Sequence, residues 1–137
     1  LVFSFIVGNS DMHLKNFSLI ESEAGSEDYH LSQAYDLLPV NVIMPEDKEQ
    51  FALTMNGKKR NLRRKDFMAF ACGIPEKAAE KMIARLLRMK PKFLELCAAS
   101  FLPEHMKEEL CALIEERCSM LSPKERKASD AGSADGR

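Results

Sequence analysis

A chain of 137 residues with 45% apolar composition can bury one modest core, so a single domain is expected. Its formal net charge of −1 excludes a global field that would drive it onto nucleic acid or an anionic membrane surface. No apolar run approaches the roughly twenty residues of a membrane span. The four cysteines form no C-x-x-C pair, which fits reduced thiols and a cytoplasmic location better than a disulfide frame.

In chain order, the apolar run 1–7 suits the end of a buried helix or a strand equally well. Nine residues dense in polar groups follow, Gly8-Asn9-Ser10-Asp11-Met12-His13-Leu14-Lys15-Asn16. Residues 17–20 read as a short strand, 21–28 as a polar turn containing Gly25, and 29–35 as a return strand, so the two strands make a hairpin. Pro39 and Pro45 break up the next stretch, and Asn56-Gly57 signals a turn. From about Leu62 the pattern is helical, with Phe67, Phe70 and Ala71 on one face and Gly73 closing the segment. Pro75 opens a second helix whose stripe is Ala78, Ala79, Met82, Ile83, Leu86 and Leu87. Pro91 stops it and starts a third, with Phe93, Leu94, Cys97, Ala98 and Phe101 expected inward. Pro103 opens the last, with Met106, Leu110, Leu113, Ile114, Cys118 and Leu121 on one face. The domain is expected to span 1–121, and the aperiodic stretch 122–137 to be a disordered tail.

The polar block carries the chemistry. Asp11 and Asn16 stand five positions apart (16 − 11), the Asp-x-x-x-x-Asn spacing of a kinase catalytic loop, where the acid receives the substrate hydroxyl's proton and the amide holds a metal ion. Twenty positions further (36 − 16), the isolated acid Asp36 ends the hairpin's return strand. A hairpin there would bring Asp36 back beside Asn16, giving one neutral and one anionic oxygen donor. That pair suits Mg²⁺, which keeps waters and phosphate oxygens as its other ligands.

The wording is more specific than the spacing. Gly8-Asn9-Ser10-Asp11-x-His13-x-Lys15-Asn16-Phe17-Ser18-Leu19, followed by Tyr35-Asp36-Leu37-Leu38-Pro39, closely resembles the C-terminal lobe of HipA-type serine/threonine kinases, the toxins of bacterial toxin–antitoxin pairs. The two blocks cover roughly the first forty positions. The resemblance implies a mainly α (α+β) fold, the C-terminal lobe of a protein-kinase-like fold, with a catalytic loop and short β-hairpin followed by a helical bundle. It favours a helix over residues 1–7. It implies Asp11 as catalytic base, and His13, Lys15, Asn16, Tyr35 and Asp36 as nucleotide contacts, with Asn16 and Asp36 on the metal. It further implies ATP and Mg²⁺ as cofactors, a HipB-like helix-turn-helix antitoxin as partner, and a protein substrate of which aminoacyl-tRNA synthetases are examples. A kinase also needs a Gly-rich loop over the phosphates and a strand lysine. Neither lies within these residues, so the chain reads as a C-terminal piece and is expected to be inactive alone. A non-catalytic pseudokinase lobe or partner-binding helical domain is the alternative.

Blander readings compete at each feature. Asp and Asn in a loop often only make turn hydrogen bonds. His13 with Asp11 would be a transition-metal site only with helpers, and His30 and His105 stand at no fixed short spacing. The cysteine spacing fits no zinc ribbon or finger, and the eight methionines read as core fillers. Six cations lie in the eight positions 58–65. They read as a solvated face, or as a contact to DNA phosphate or partner carboxylates through Lys58, Lys59, Arg63 and Arg64.

Overall fold

The computed structural model describes residues 1–123; most of the tail expected over 122–137 lies outside the described residues. Six helices and one two-stranded sheet make up the described chain: α1 (Val2–Val7), β1 (Leu19–Glu21), β2 (Tyr29–Leu31), α2 (Val40–Ile43), α3 (Arg64–Phe70), α4 (Glu76–Arg88), α5 (Lys90–Ala98) and α6 (Glu104–Leu121). The chain is therefore helix-rich, with one small antiparallel sheet. No helix among the described residues is long and apolar enough to cross a membrane.

The core forms where α1 lies against α6, with α3, α4 and the loop over residues 50–62 closing around it. Three phenylalanines meet there, with ring centroids 5.0 Å apart for Phe5–Phe67, 6.3 Å for Phe5–Phe51 and 6.1 Å for Phe51–Phe67. Tilted and edge-on aromatic packing of this kind adds to the area that the rings bury. Ile6, Met12, Met55, Leu62, Ile83, Ile114, Cys118 and Leu121 complete the cluster. On α6, Leu110, Ile114, Cys118 and Leu121 recur at helical spacing, so one side of a long helix serves several neighbours. Helix α4 begins after Pro75, has Glu76 in its first turn and Arg85 and Arg88 in its last, and so complements its own dipole.

The run 1–7 is helical, and Asn56 and Gly57 both take positive φ, 51° and 75°, closing a tight turn bridged by Met55 and Lys58. Of the four free thiols, Cys97 and Cys118 are buried and Cys72 is exposed. Burial, with Cys111 beside it, pushes the Cys97 thiol up to about 11, which keeps it protonated.

Several expectations are corrected. The strands are shorter than 17–20 and 29–35: pairing runs from Leu19↔Leu31 to Glu21↔Tyr29, Ser32 N–H still reaches Ser18 O at 2.8 Å, and then the chain leaves the ladder. Between Pro39 and Pro45 a short helix forms, because Pro39 occupies the cap, where no N–H is needed, and Pro45 falls beyond its end. Met82, Ala98 and Phe101 face outward and Phe70 is half-exposed. Phe101 lies past the end of α5, in the turn before Pro103, and Met82 sits about 100° around the helix from Ile83, beyond the edge of a narrow buried stripe.

Candidate functional site

Helix α1 ends at Gly8, which adopts the left-handed conformation (φ 73°) and lets the chain turn back, so that Asn9 N–H bonds Ser4 O at 2.9 Å. The loop that follows alternates between anchored and presented residues. Asn9 is buried and its Nδ2 donates to Asp36 O at 3.2 Å. Ser10 is buried and its Oγ donates to Asp47 Oδ2 at 2.8 Å. Met12 is buried and its sulfur accepts from Ser4 Oγ at 3.0 Å. Between these anchors Asp11 is held out into solvent.

The loop then closes in a single 3₁₀ turn, Leu14–Asn16. Asn16 Oδ1 accepts the His13 N–H at 2.9 Å, which fixes the amide so that Nδ2 faces Asp36 Oδ2 at 2.7 Å. The hairpin thus brings Asp36 back to Asn16 across twenty positions, as a shared site would require. Asp36 itself has φ 54°, a left-handed conformation that an aspartate tolerates better than most side chains. Tyr35 OH donates to Lys15 O at 2.7 Å and shares a second hydrogen bond of 2.7 Å with Ser18 Oγ, so this ring clamps the loop to the hairpin.

Not all the candidates converge. Asn16 and Tyr35 line a cavity of about 210 Å³ with Asn9 and Met12, whereas Asp11 lines a separate open depression of about 440 Å³ with Ser10, Asp47 and Glu49. Lys15 is exposed. His13 faces a third, apolar cavity with Phe17, Phe51 and Phe70, and its buried Nδ1 has no hydrogen-bond partner among the described residues. A larger cavity, about 810 Å³, lies elsewhere, between the start of α3 and the end of α6.

For a divalent cation, an amide and a carboxylate are suitable residue types and few protein ligands are needed. Here Asn16 turns its Nδ2 to Asp36 and its Oδ1 to the His13 N–H, so its oxygen would have to turn toward Asp36 to share a cation. Among the described residues no three His, Cys, Asp or Glu side chains cluster. No motif spacing assigns a role to Ser10, Asn41 or Asp47. Ser10 and Asp47 are 37 positions apart, so no local pattern links them. An asparagine set between Val40 and Val42 was the only available hint.

Of the cationic run, Lys58 Nζ pairs with Asp66 Oδ1 at 2.7 Å and Lys59 Nζ with Glu49 Oε2 at 2.9 Å. Arg64 donates to Leu121 O at 3.1 Å and lies 3.8 Å from Glu80.

The fold and site define a helix-rich domain whose polar loop, capped onto its first helix, is met by the acid that closes a hairpin. Residues 1–93 match the family described as HipA-like C-terminal domain, and the chain belongs to that family. No curated protein matches the chain.

Proposed function

We propose that this domain is the catalytic C-terminal lobe of a serine/threonine protein kinase, transferring a phosphoryl group from ATP to a protein hydroxyl. The Asn16–Asp36 contact of 2.7 Å carries the reading, because it brings side chains from two separate motif blocks to one point. In this reading Asn16 and Asp36 hold Mg²⁺, which when bound neutralises phosphate charge. Asp11, presented between buried anchors, orients the attacking hydroxyl and takes its proton on a carboxylate oxygen. Lys15 offers a cation to the phosphates and His13 a hydrogen-bonding ring. Tyr35 acts through the loop that it clamps. Family resemblance adds the partner, a HipB-like helix-turn-helix antitoxin, the toxin role in a cytoplasmic setting, and a protein substrate of the aminoacyl-tRNA synthetase kind.

The test is made in the complete two-lobed kinase. Asp11→Asn abolishes phosphoryl transfer and leaves ATP affinity within about twofold, because the base acts chiefly at the transfer step. Asp36→Asn weakens Mg²⁺-dependent ATP binding, because an anionic ligand is lost. Equal loss of binding in both variants would overturn this assignment.

A non-catalytic, partner-binding lobe is favoured by one observation. The hairpin exposes Leu19, Ile20, Tyr29 and Leu31, each between 49% and 69% accessible, on both of its faces. Protein that binds its partner normally but transfers no phosphate with Asp11 intact would belong to this second reading.

A further inference from the structure

We infer that Asn41, oriented by Arg117, is the positioning residue that holds the Asp11 loop in register; the inference rests on the kinase reading only for its effect on rate. Asn41 is bonded on every side. Its backbone N–H donates to Gly8 O at 3.0 Å, where the loop begins. Its Nδ2 donates to Asp47 O at 3.1 Å and to Glu49 O at 2.9 Å. Its Oδ1 accepts from Arg117 Nη2 at 3.3 Å. The segment so held returns the constraint to the loop: Asp47 Oδ1 accepts the Glu49 N–H at 2.9 Å while its Oδ2 accepts from Ser10 Oγ at 2.8 Å, next to Asp11.

The partners dictate an amide. A guanidinium only donates and a carbonyl only accepts, so the side chain between them must accept on one edge and donate on the other. Arg117 fixes which edge is which. It is buried, its guanidinium carbon lies 4.6 Å from the centre of the Phe5 ring, and its Nε and Nη1 have no partner among the described residues. A cation so incompletely satisfied is a poor source of stability, and an apolar side chain of similar volume there would cost little or even stabilise. Its contribution is direction. It turns the Asn41 carboxamide toward the 47–49 segment, and through Asp47 and Ser10 it fixes the backbone that presents Asp11.

The experiment uses the complete kinase with Arg117→Met, Asn41→Asp and Ser10→Ala, and reads melting temperature, kcat, KM for ATP and backbone amide exchange. Arg117→Met is expected to melt no lower than wild type, yet to lose roughly tenfold or more in kcat with KM within about twofold, as displacement of a catalytic group does. The Ser10 and Glu49 amides exchange faster in Arg117→Met and Asn41→Asp. The kcat losses of Asn41→Asp and Ser10→Ala do not add, because both break one chain of contacts. Should Arg117→Met fail to fold, the isosteric Asn41→Asp carries the test alone. Folded variants with unchanged exchange and unchanged kcat overturn the inference. If wild type itself transfers no phosphate, the kinase reading fails, and the exchange rates alone decide whether Asn41 positions the loop.

Discussion

Gly8 shows how much one residue contributes to the site. It caps α1 with a positive φ, accepts the Asn41 N–H, and sits so close to α6 that an added Cβ would collide with the Leu113 side chain. Gly8→Ala therefore meets the left-handed penalty and displaces the end of the Leu113 side chain, and is expected to cost about 1.5–3 kcal/mol in urea unfolding. Gly25 has a similar φ of 79° with nothing within 4 Å, so Gly25→Ala should cost only about 1 kcal/mol. Equal costs for the two variants would remove the close approach of Leu113 from the account. At this scale the sequence was legible where chemistry demands a residue type at a fixed spacing. Asp11, Asn16 and Asp36 were picked out that way, and the contact between the last two is present. Asn41 and Arg117 were not, because 76 positions separate them and neither belongs to a short pattern.

Among the elements, α3 depends on an acid in its own first turn. Asp66 Oδ1 pairs with Lys58, Oδ2 accepts the Arg63 N–H at 2.8 Å, and Asp66 O accepts from Asn56 Nδ2 at 2.8 Å, which ties the Asn56-Gly57 turn to the helix start. The Lys58 ammonium first, with the Arg63 N–H assisting against burial, holds the Asp66 carboxyl below the usual carboxylate range. A depressed folded pKa contributes stability that is complete above the unfolded value near pH 4 and is lost as pH falls through the folded value. Asp66→Asn should thus cost about 1–2 kcal/mol at neutral pH and have a smaller effect near pH 3, with unfolding followed in urea at both. A variant whose deficit is the same at both pH values would place the stabilisation outside this carboxylate. Helices were the most legible elements, since proline and glycine punctuate α4, α5 and α6 and their stripes are strong. The errors fell at the edges of stripes and strands. Periodicity locates a face but not its width, and Met82 and Phe101 are exposed because no element among the described residues packs over them.

For the molecule as a whole, the cationic run 58–65 is where local charge meets tertiary structure. Sequence shows six cations within eight positions; the fold sends Lys58, Lys59 and Arg64 to internal partners, while Arg60, Arg63 and Lys65 make no ion pair among the described residues. A DNA contact by this lobe, proposed for a complex with a helix-turn-helix antitoxin, would therefore be uneven along the run. Any phosphate bound by Lys58 or Lys59 replaces an existing pair, so the net gain is small. Arg63 and Lys65 have no such pair to give up, and each phosphate contact they make should steepen the salt dependence by about one unit of slope. Operator binding by the complex across a salt series separates the two groups. Arg63→Ser and Lys65→Ser should weaken binding and flatten the slope without changing sequence preference, because phosphates carry no base identity. Lys58→Ser should lower the unfolding midpoint and leave the slope nearly unchanged. If Arg63→Ser and Lys65→Ser also leave it unchanged, the run is a solvated face whose work is internal, holding the turn at 56–57 and the start of α3 against the body of the domain.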